Sequence, residues 1–253
     1  MKEEIYKPYE NWKQYKIFND EEKNKKYISL FNKLYELPED YIPKAGLLFE
    51  DVLKYSSKNK EVLDLGCGKM GILGLLALNY GAKNSLEVDI DKECISWLNK
   101  IIIDNKIDNI STLESDLFSN IPENKKFDLI LANPPHMPMI KGKLCDSGGP
   151  DGKYFIKKIL KDGYSYISQH GKIIMMMFDF LGVDCSYNSE DTLFNYAKKL
   201  GYNKNEILFT FDKYITEDSV TYKCLDYIKT IYPKYDFGKE KQKCKLNIVK
   251  FER

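Results

Sequence analysis

The sequence lacks the cysteine patterns that hold metals or build disulfide frameworks. Its six cysteines are scattered over 253 residues, and none of them forms a CxxC pair. Structural zinc sites and small disulfide-rich folds both need closely spaced cysteines. We therefore expect no metal site and a reducing compartment. The six positions are Cys67, Cys94, Cys145, Cys185, Cys224 and Cys244.

Long apolar segments are absent as well. Residues 1–14, MKEEIYKPYENWKQ, contain no apolar region of the kind that a signal peptide carries. The run IIMMMF at 173–178 is far shorter than the roughly 20 apolar residues that cross a bilayer. We expect a soluble, cytoplasmic protein that has no membrane partner.

There is no excess of charge of either sign. Lys and Arg number 39 and Asp and Glu number 38, so the formal net charge is +1. Duplex binding draws its strength from the neutralisation of phosphates, so this balance disfavours a nucleic-acid partner, although a local basic patch would still allow one. No pattern in the sequence predicts an oligomeric state.

From residue 61 onward, strand-like and helix-like segments alternate. Seven short apolar segments begin with EVLDL at 61–65 and end with CKLNIVKFE at 244–252, and helical patterns separate most of them. This alternation is typical of an α/β, doubly wound fold whose mostly parallel, seven-stranded sheet is covered by helices.

Two segments fall outside this alternation. Residues 1–58 are predicted to form a short helical N-terminal appendage and lid, with helices at 19–37 and 45–56. Residues 59–253 are predicted to form the main, catalytic domain. Within it, the polar and tyrosine-rich stretch at about 213–240 is predicted to be an insertion, since connections of this length are often active-site covers or mobile excursions.

A glycine-rich loop follows the first strand of the main domain. DLGCGKMG at 64–71 places Gly66, Gly68 and Gly71 between a strand and a helix, and Asp89 ends the next strand. Glycines let a ligand approach the backbone, and a carboxylate at that strand end can accept hydrogen bonds from both ribose hydroxyls. The pattern predicts a site for an adenosine-bearing ligand.

The acid that precedes the glycines helps to choose the ligand. Asp64 would repel the pyrophosphate of a dinucleotide but would suit an ammonium group, so an NAD-dependent oxidoreductase is the less favoured alternative. LDLGCG at 63–68 resembles the first motif of the class I methyltransferases, which have a Rossmann-like fold and bind S-adenosylmethionine. The departure from the family's usual small residues is Lys69-Met70.

The resemblance implies a set of cofactor contacts in this chain. The methionyl end of S-adenosylmethionine would lie at the glycine loop, the ribose at the end of the second strand and the adenine after the third strand. The acid after the third strand, Asp116, could instead cap a helix. The implied residues are Asp64, Gly66, Cys67, Gly68, Asp89, Ile90, Asp116, Leu117 and Asn133.

The stretch LILANPPHMP at 129–138 ends the fourth strand with an unusual corner. The residue before a proline is held extended, and Pro134 has a fixed φ and no N–H. The corner therefore offers two acceptors, the Asn133 side-chain oxygen and the Pro134 carbonyl, which could hold both hydrogens of an NH2 group. Positioning of that nitrogen, with matched electrostatics, would supply most of the acceleration of a reaction at it.

This corner resembles the N-P-P-Y motif of amino methyltransferases, which include HemK-type glutamine methyltransferases and adenine methyltransferases. The resemblance assigns catalysis to Asn133, Pro134 and the aromatic position, which is His136 here. Its imidazole could stack on the acceptor, take up the departing proton or only pack. The following GGPDG at 148–152 partially matches a HemK-type segment and also reads as a turn in which Asp151 caps a helix.

The resemblance covers residues 60–180 and leaves the methyl acceptor open. IPKAGLLFE at 42–50 keeps only a proline and a basic residue of the P-R-x-E-T segment of HemK-type enzymes. A protein glutamine or other peptide-borne nitrogen, a small-molecule amine and a nucleic-acid base all remain as acceptors. A non-catalytic cofactor-binding protein is a further alternative. The five tyrosines of the insertion could wall a pocket or pack as ordinary helices.

Overall fold

The computed structural model describes residues 1–39, 41–142 and 146–253. Contacts between Cα atoms group the chain into two compact units, Met1–Ile121 and Pro122–Arg253. Cys145 and the predictions that concern it lie outside the described residues. The predicted domain boundary at residue 58 stays a prediction, because a division by contacts does not by itself define domains.

The first unit begins with a four-stranded antiparallel sheet, in the order β1-β2-β3-β4. The prediction of a helix at 19–37, and with it of a helical appendage from the first residue, is wrong. Of the described residues in this segment, only the later ones are helical, with a 3-10 helix at Ala45–Phe49 that leads into α1, Glu50–Ser56. The strands are β1 (Lys2–Tyr6), β2 (Tyr15–Asp20), β3 (Lys25–Leu30) and β4 (Lys33–Leu37).

Turn residues explain why residues 15–37 fold as strands. Phe31 and Asn32 both have positive φ, 53° and 63°, and they link Leu30 directly to its partner Lys33. A two-residue loop with two positive φ angles is the type I′ turn of a tight hairpin, and asparagine favours it. Alternate residues such as Ile28 and Leu30 are buried. This period of two is the pattern of a half-buried strand.

The rest of the first unit has the predicted alternation of parallel strands and helices. Strand β5 pairs in parallel with β6, and β6 pairs in parallel with β7. Asp91 caps α3 as predicted, because its side chain accepts a hydrogen bond from the Glu93 N–H. The elements are β5 (Glu61–Leu65), α2 (Ile72–Asn79), β6 (Asn84–Asp89), α3 (Lys92–Asn105) and β7 (Ile110–Glu114).

The second unit combines a parallel and two antiparallel pairings. Strand β8 pairs in parallel with β9, β9 pairs antiparallel with β11, and β11 pairs antiparallel with β10. A 3-10 helix, Asp179–Leu181, follows β9 directly. The other elements are β8 (Phe127–Ala132), α4 (Tyr154–Gly163), β9 (Ile167–Phe178), α5 (Leu193–Lys199), β10 (Lys204–Tyr214), α6 (Val220–Lys223), α7 (Leu225–Ile231) and β11 (Lys243–Glu252).

The seven strands β5 to β11 form one sheet in the order β10-β11-β9-β8-β5-β6-β7. The predicted α/β fold with a mostly parallel, seven-stranded sheet is therefore confirmed. In the described parts of the chain, no helix has both the length and the apolar character needed to cross a membrane.

Candidate active site

The glycine loop lies between β5 and α2, and its three glycines have different surroundings. Gly66, Gly68 and Gly71 all have positive φ, which favours glycine. Among the described residues, a Cβ built on Gly66 or Gly68 would have no atom within 4 Å, whereas one on Gly71 would lie 2.9 Å from a Leu98 methyl. The first two glycines therefore leave their backbone open to a ligand, and the third permits close packing of the helix.

Asp89 ends β6 with its carboxylate fixed beside this loop. One carboxylate oxygen accepts a 2.8 Å hydrogen bond from the Gly68 N–H, and the other accepts a 2.9 Å bond from the Asp91 N–H. A carboxylate has about four lone-pair sites, so acceptor capacity remains. The half-buried side chain is thus held in place and can still accept hydrogen bonds from a pair of hydroxyls.

Asp64 faces a second buried acid, Glu87. They are register partners on β5 and β6, and they are 1% and 0% exposed. Within the described residues, no donor makes a hydrogen bond of normal geometry to either Asp64 carboxylate oxygen or to Oε2 of Glu87. Oε1 of Glu87 accepts a hydrogen bond from the Ser85 hydroxyl. Two acids are thus enclosed together, away from water.

This enclosure sets the protonation of the pair. Burial is the largest cause and raises the pKa of Asp64 above its ordinary value, against the opposing hydrogen-bonding effect of Glu87 and of the Gly74 and Leu73 N–H groups. Burial, followed by the charge of Asp64, raises the pKa of Glu87 well above its ordinary value. Two like charges cannot both persist in an enclosure that excludes water, so the two acids share one proton near neutral pH.

The remaining predicted cofactor residues of the first unit lie in the glycine loop and just after β6 and β7. Cys67 is in the loop and is buried, Ile90 follows β6 and is 57% exposed, and Asp116 is exposed two residues after the end of β7. Leu117 has a positive φ of 50°, and its carbonyl accepts a hydrogen bond from the Ser115 hydroxyl. The helix-cap alternative for Asp116 gains no support from a side-chain bond in the described residues, and its cofactor role stays a prediction.

The Asn-Pro-Pro-His corner follows β8 in the second unit. Pro134 is buried, while Asn133 and His136 are half-buried. The His136 Nδ1 lies 2.6 Å from the Pro134 carbonyl oxygen. A carbonyl only accepts, so Nδ1 carries the hydrogen and Nε2 is the basic nitrogen. The bond uses one of the two lone pairs of the carbonyl and leaves the other for an acceptor.

The surroundings of His136 keep its ring neutral. Its ring packs edge-on against Phe178, with 4.8 Å between the centroids. Burial lowers the pKa of His136 to about 4, and the nearby positive charge of Lys213 acts in the same direction. At neutral pH the imidazole is therefore uncharged and only weakly basic. Among the predicted roles, this favours fixing of the corner over strong base catalysis.

The GGPDG segment packs on the residues that follow the corner. The Met137 carbonyl accepts a 2.9 Å hydrogen bond from the Gly148 N–H, and the Met139 N–H donates to the Gly149 carbonyl. Asp151 accepts a hydrogen bond from the Lys153 N–H at the entrance of α4, close to its predicted capping role. The segment therefore supports the corner and also leads the chain into the helix.

Two residues important to these sites were not predicted. Glu87 was missed, although a charged residue at an inward-facing position of the strand SLEVD was the available signal. Phe178 was missed because it reads as the last apolar residue of β9, and nothing in the sequence shows that it meets His136.

Comparison with known proteins identifies the family. Residues 40–190 match the family model described as the methyltransferase small domain. The chain belongs to this family. The predictions of a methyltransferase, of S-adenosylmethionine as its cofactor and of N-methylation are confirmed at the level of the family and its relatives.

Relatives with assigned names agree with this placement. A Methanocaldococcus jannaschii protein, provisionally named a protein N5-glutamine methyltransferase, is 30% identical over 182 residues, which is 69% of this chain and 84% of that protein. The release factor glutamine methyltransferase of Fusobacterium nucleatum is also 30% identical, over 58% of this chain. The chain spans only 44% of the latter protein.

A solved structure confirms the fold. A 16S rRNA methyltransferase of T. thermophilus, in complex with AdoMet and guanosine, matches with a TM-score of 0.56 at 16% sequence identity. The match covers 90% of this chain and 50% of that one. The residues of the first unit fit the cofactor of this small-domain methyltransferase. Open backbone lies at Gly66 and Gly68, and acceptor capacity remains on Asp89. In the part of the chain that the structure describes, no donor of normal geometry reaches the buried Asp64 oxygens.

Proposed function

We propose that this enzyme methylates a side-chain amide nitrogen of glutamine in a protein acceptor. The observation that carries the proposal is the rigid corner at Asn133 and Pro134, whose carbonyl is fixed by His136 at 2.6 Å. The names of the relatives support glutamine as the acceptor residue, since both of those described above are named for glutamine methylation.

The corner answers a specific chemical difficulty. The lone pair of an amide nitrogen is delocalised into its carbonyl, so the nitrogen is a poor nucleophile. The Asn133 side-chain oxygen and the free lone pair of the Pro134 carbonyl would each accept one N–H of the acceptor. Holding both hydrogens orients the nitrogen and favours its pyramidal form as the new bond develops.

The remaining steps need little from the protein. When bound, S-adenosylmethionine supplies an electrophilic methyl group with a neutral thioether as leaving group. Asp89 and the backbone at Gly66 and Gly68 would hold the ribose and the methionyl end. The methylated amide nitrogen is strongly acidic, so water or the weakly basic Nε2 of His136 suffices to remove its extra proton.

The test follows the methyl group to its destination. The enzyme and methyl-labelled cofactor are incubated together in three separate reactions, which contain the protein, the nucleic-acid or the small-molecule fraction of a cell extract. We expect label in protein, and mass spectrometry of digested peptides should place it on a glutamine side chain. Label found only in nucleic acid or small molecules, or only on oxygen or carbon, would contradict the proposal and favour the other acceptors.

A further inference from the structure

The predicted insertion at 213–240 makes hydroxyl contacts with the GGPDG segment. The hydroxyl of Tyr232 donates a hydrogen bond to the Asp151 carbonyl, and the hydroxyl of Tyr227 donates to the Pro150 carbonyl at 3.1 Å. Tyr232 is 1% exposed. Two consecutive carbonyls of the loop are thus held by two tyrosines that lie about 80 residues further along the chain.

The loop held in this way rests directly on the catalytic corner. A Cβ on Gly148 would lie 2.7 Å from the His136 Cα, and one on Gly152 would lie 2.8 Å from the His136 carbonyl oxygen. Neither position has room for a side chain. Backbone hydrogen bonds between Met137 and Gly148 and between Met139 and Gly149 join the same two segments. A shift of the loop would therefore displace the backbone at His136.

A second route joins Tyr232 to the corner through aromatic rings. The ring of Tyr232 meets Phe180 at 5.8 Å between centroids, and Phe180 stacks on Phe178 at 4.8 Å with 13° between the planes. Phe178 in turn packs against His136. Aromatic pairs of this kind contribute beyond the area that they bury. Tyr232 thus reaches His136 through the rings as well as through the loop.

A buried lysine fixes Tyr232 from another side. Lys153 is 1% exposed, its ammonium lies 5.3 Å from the centroid of the Tyr232 ring, and it binds Glu190 at 2.9 Å. Burying a lysine is costly unless its charge is paired and hydrogen-bonded. The ion pair with Glu190 and the contact with the Tyr232 ring offset the cost of burying Lys153. The same contacts hold the Tyr232 ring in place.

We propose that Tyr232, assisted by Tyr227, is a positioning residue for methyl transfer, and that the 213–240 insertion serves to brace the Asn133–His136 corner. This inference rests on the proposed function of that corner. The brace acts through the Pro150 and Asp151 carbonyls and through the Phe180–Phe178 stack, and neither tyrosine is required to touch the acceptor or the cofactor.

The brace is tested first without any acceptor, by hydrogen exchange in the full-length protein. In the double variant Tyr227→Phe/Tyr232→Phe, the amides of Met139 and Gly148 should exchange about tenfold faster, since loss of a hydrogen bond has an effect of this order. Amides of β5 and β6 should be unchanged. The control is Tyr222→Phe, which removes an exposed hydroxyl of the same segment. Equal exchange at Met139 and Gly148 in the double variant and the control would overturn the proposal.

Kinetics distinguish positioning from simple stability. In Tyr232→Phe, kcat should fall about tenfold while KM for S-adenosylmethionine changes less than about twofold, because a small misplacement of reacting groups slows the chemical step. An unchanged kcat per folded enzyme, accompanied only by a lower melting temperature, would contradict the inference. If Tyr232→Phe does not fold, the half-buried Tyr227→Phe carries the same expectation. Failure of wild-type enzyme to methylate glutamine would instead count against the proposed function.

Discussion

At the scale of single residues, the most informative feature is the pair of buried acids Asp64 and Glu87. The resemblance of LDLGCG to the first motif of the class I methyltransferases predicts that Asp64 helps to hold the methionyl end of the cofactor. The structure adds that this acid shares its enclosure with a second one, and that burial raises the pKa of both. The negative charge that faces the ammonium group of the cofactor therefore depends on the protonation of both Asp64 and Glu87.

This pair predicts that cofactor binding releases a proton. A bound ammonium stabilises the ionised form of Asp64 and so lowers its pKa, which discharges part of the proton that the pair holds near neutral pH. Calorimetry at pH 7 in buffers of different ionisation enthalpy measures this release directly. We expect a fractional proton to be released by the wild type and much less by the double variant Asp64→Asn/Glu87→Gln, which has neither carboxyl group to release it. Equal release by both proteins would refute the shared proton.

His136 makes a second residue-level prediction, concerning stability and pH. Its pKa is lowered from 6.5 to about 4 in the folded protein, so between these values the unfolded chain binds a proton that the folded protein does not. Stability must therefore fall as the pH is lowered through this window. Urea unfolding at pH 7 and pH 5 should show a greater loss for the wild type than for His136→Gln. A loss of the same size in both would mean that the histidine is not held neutral.

At the scale of elements, helix α2 packs against Glu87 through glycines. A Cβ on Gly74 would lie 1.8 Å from Oε1 of Glu87, which is fully buried. Gly74 is the third residue of the helix, in its first turn, and glycine is ordinarily unfavourable within a helix. The glycine is therefore required by the neighbouring strand and not by the helix itself.

Gly74→Ala should therefore destabilise the protein, whereas a glycine-to-alanine substitution within a helix usually stabilises it. Helix propensity alone predicts a gain of about 1 kcal/mol, whereas the clash with the buried carboxylate should cost about 1–3 kcal/mol. Denaturant unfolding measures the difference. In a Glu87→Ala background the same substitution should cost much less, giving a clear coupling energy. A stabilised Gly74→Ala single variant would show that Glu87 can leave its position freely.

At the scale of the whole molecule, the periodic part of the chain was predictable. Strands β5 to β11 and the helices α2 to α5 were identified because their apolar patterns are strong and their ends carry signals such as Asp91. The helix predicted at 19–37 was wrong, because the segment NDEEKNKKYISLFNKLYEL forms strands β2 to β4 instead. The turn at Phe31 and Asn32 depends on a local backbone conformation that the pattern of apolar residues does not predict.

The site was predictable in its motifs but not in its supports. Asp64, Asp89 and Asn133 could be named because the chemistry of their motifs is local in sequence. Glu87, Phe178 and Tyr232 act through contacts between distant segments, such as the 81 residues between Tyr232 and Asp151. Packing between such distant segments depends on the whole fold, so no short sequence motif predicts it.

The central claim is that the Asn133–Pro134 corner activates a nitrogen acceptor for methyl transfer. The most direct measurement is the single-turnover rate of Asn133→Ala beside its affinity for S-adenosylmethionine, determined by calorimetry. The account predicts a transfer rate lower by about 100-fold or more, in the range found when a transition-state hydrogen bond is removed, with cofactor affinity changed by less than about threefold. A variant that binds the cofactor and still transfers the methyl group at the wild-type rate would contradict the account.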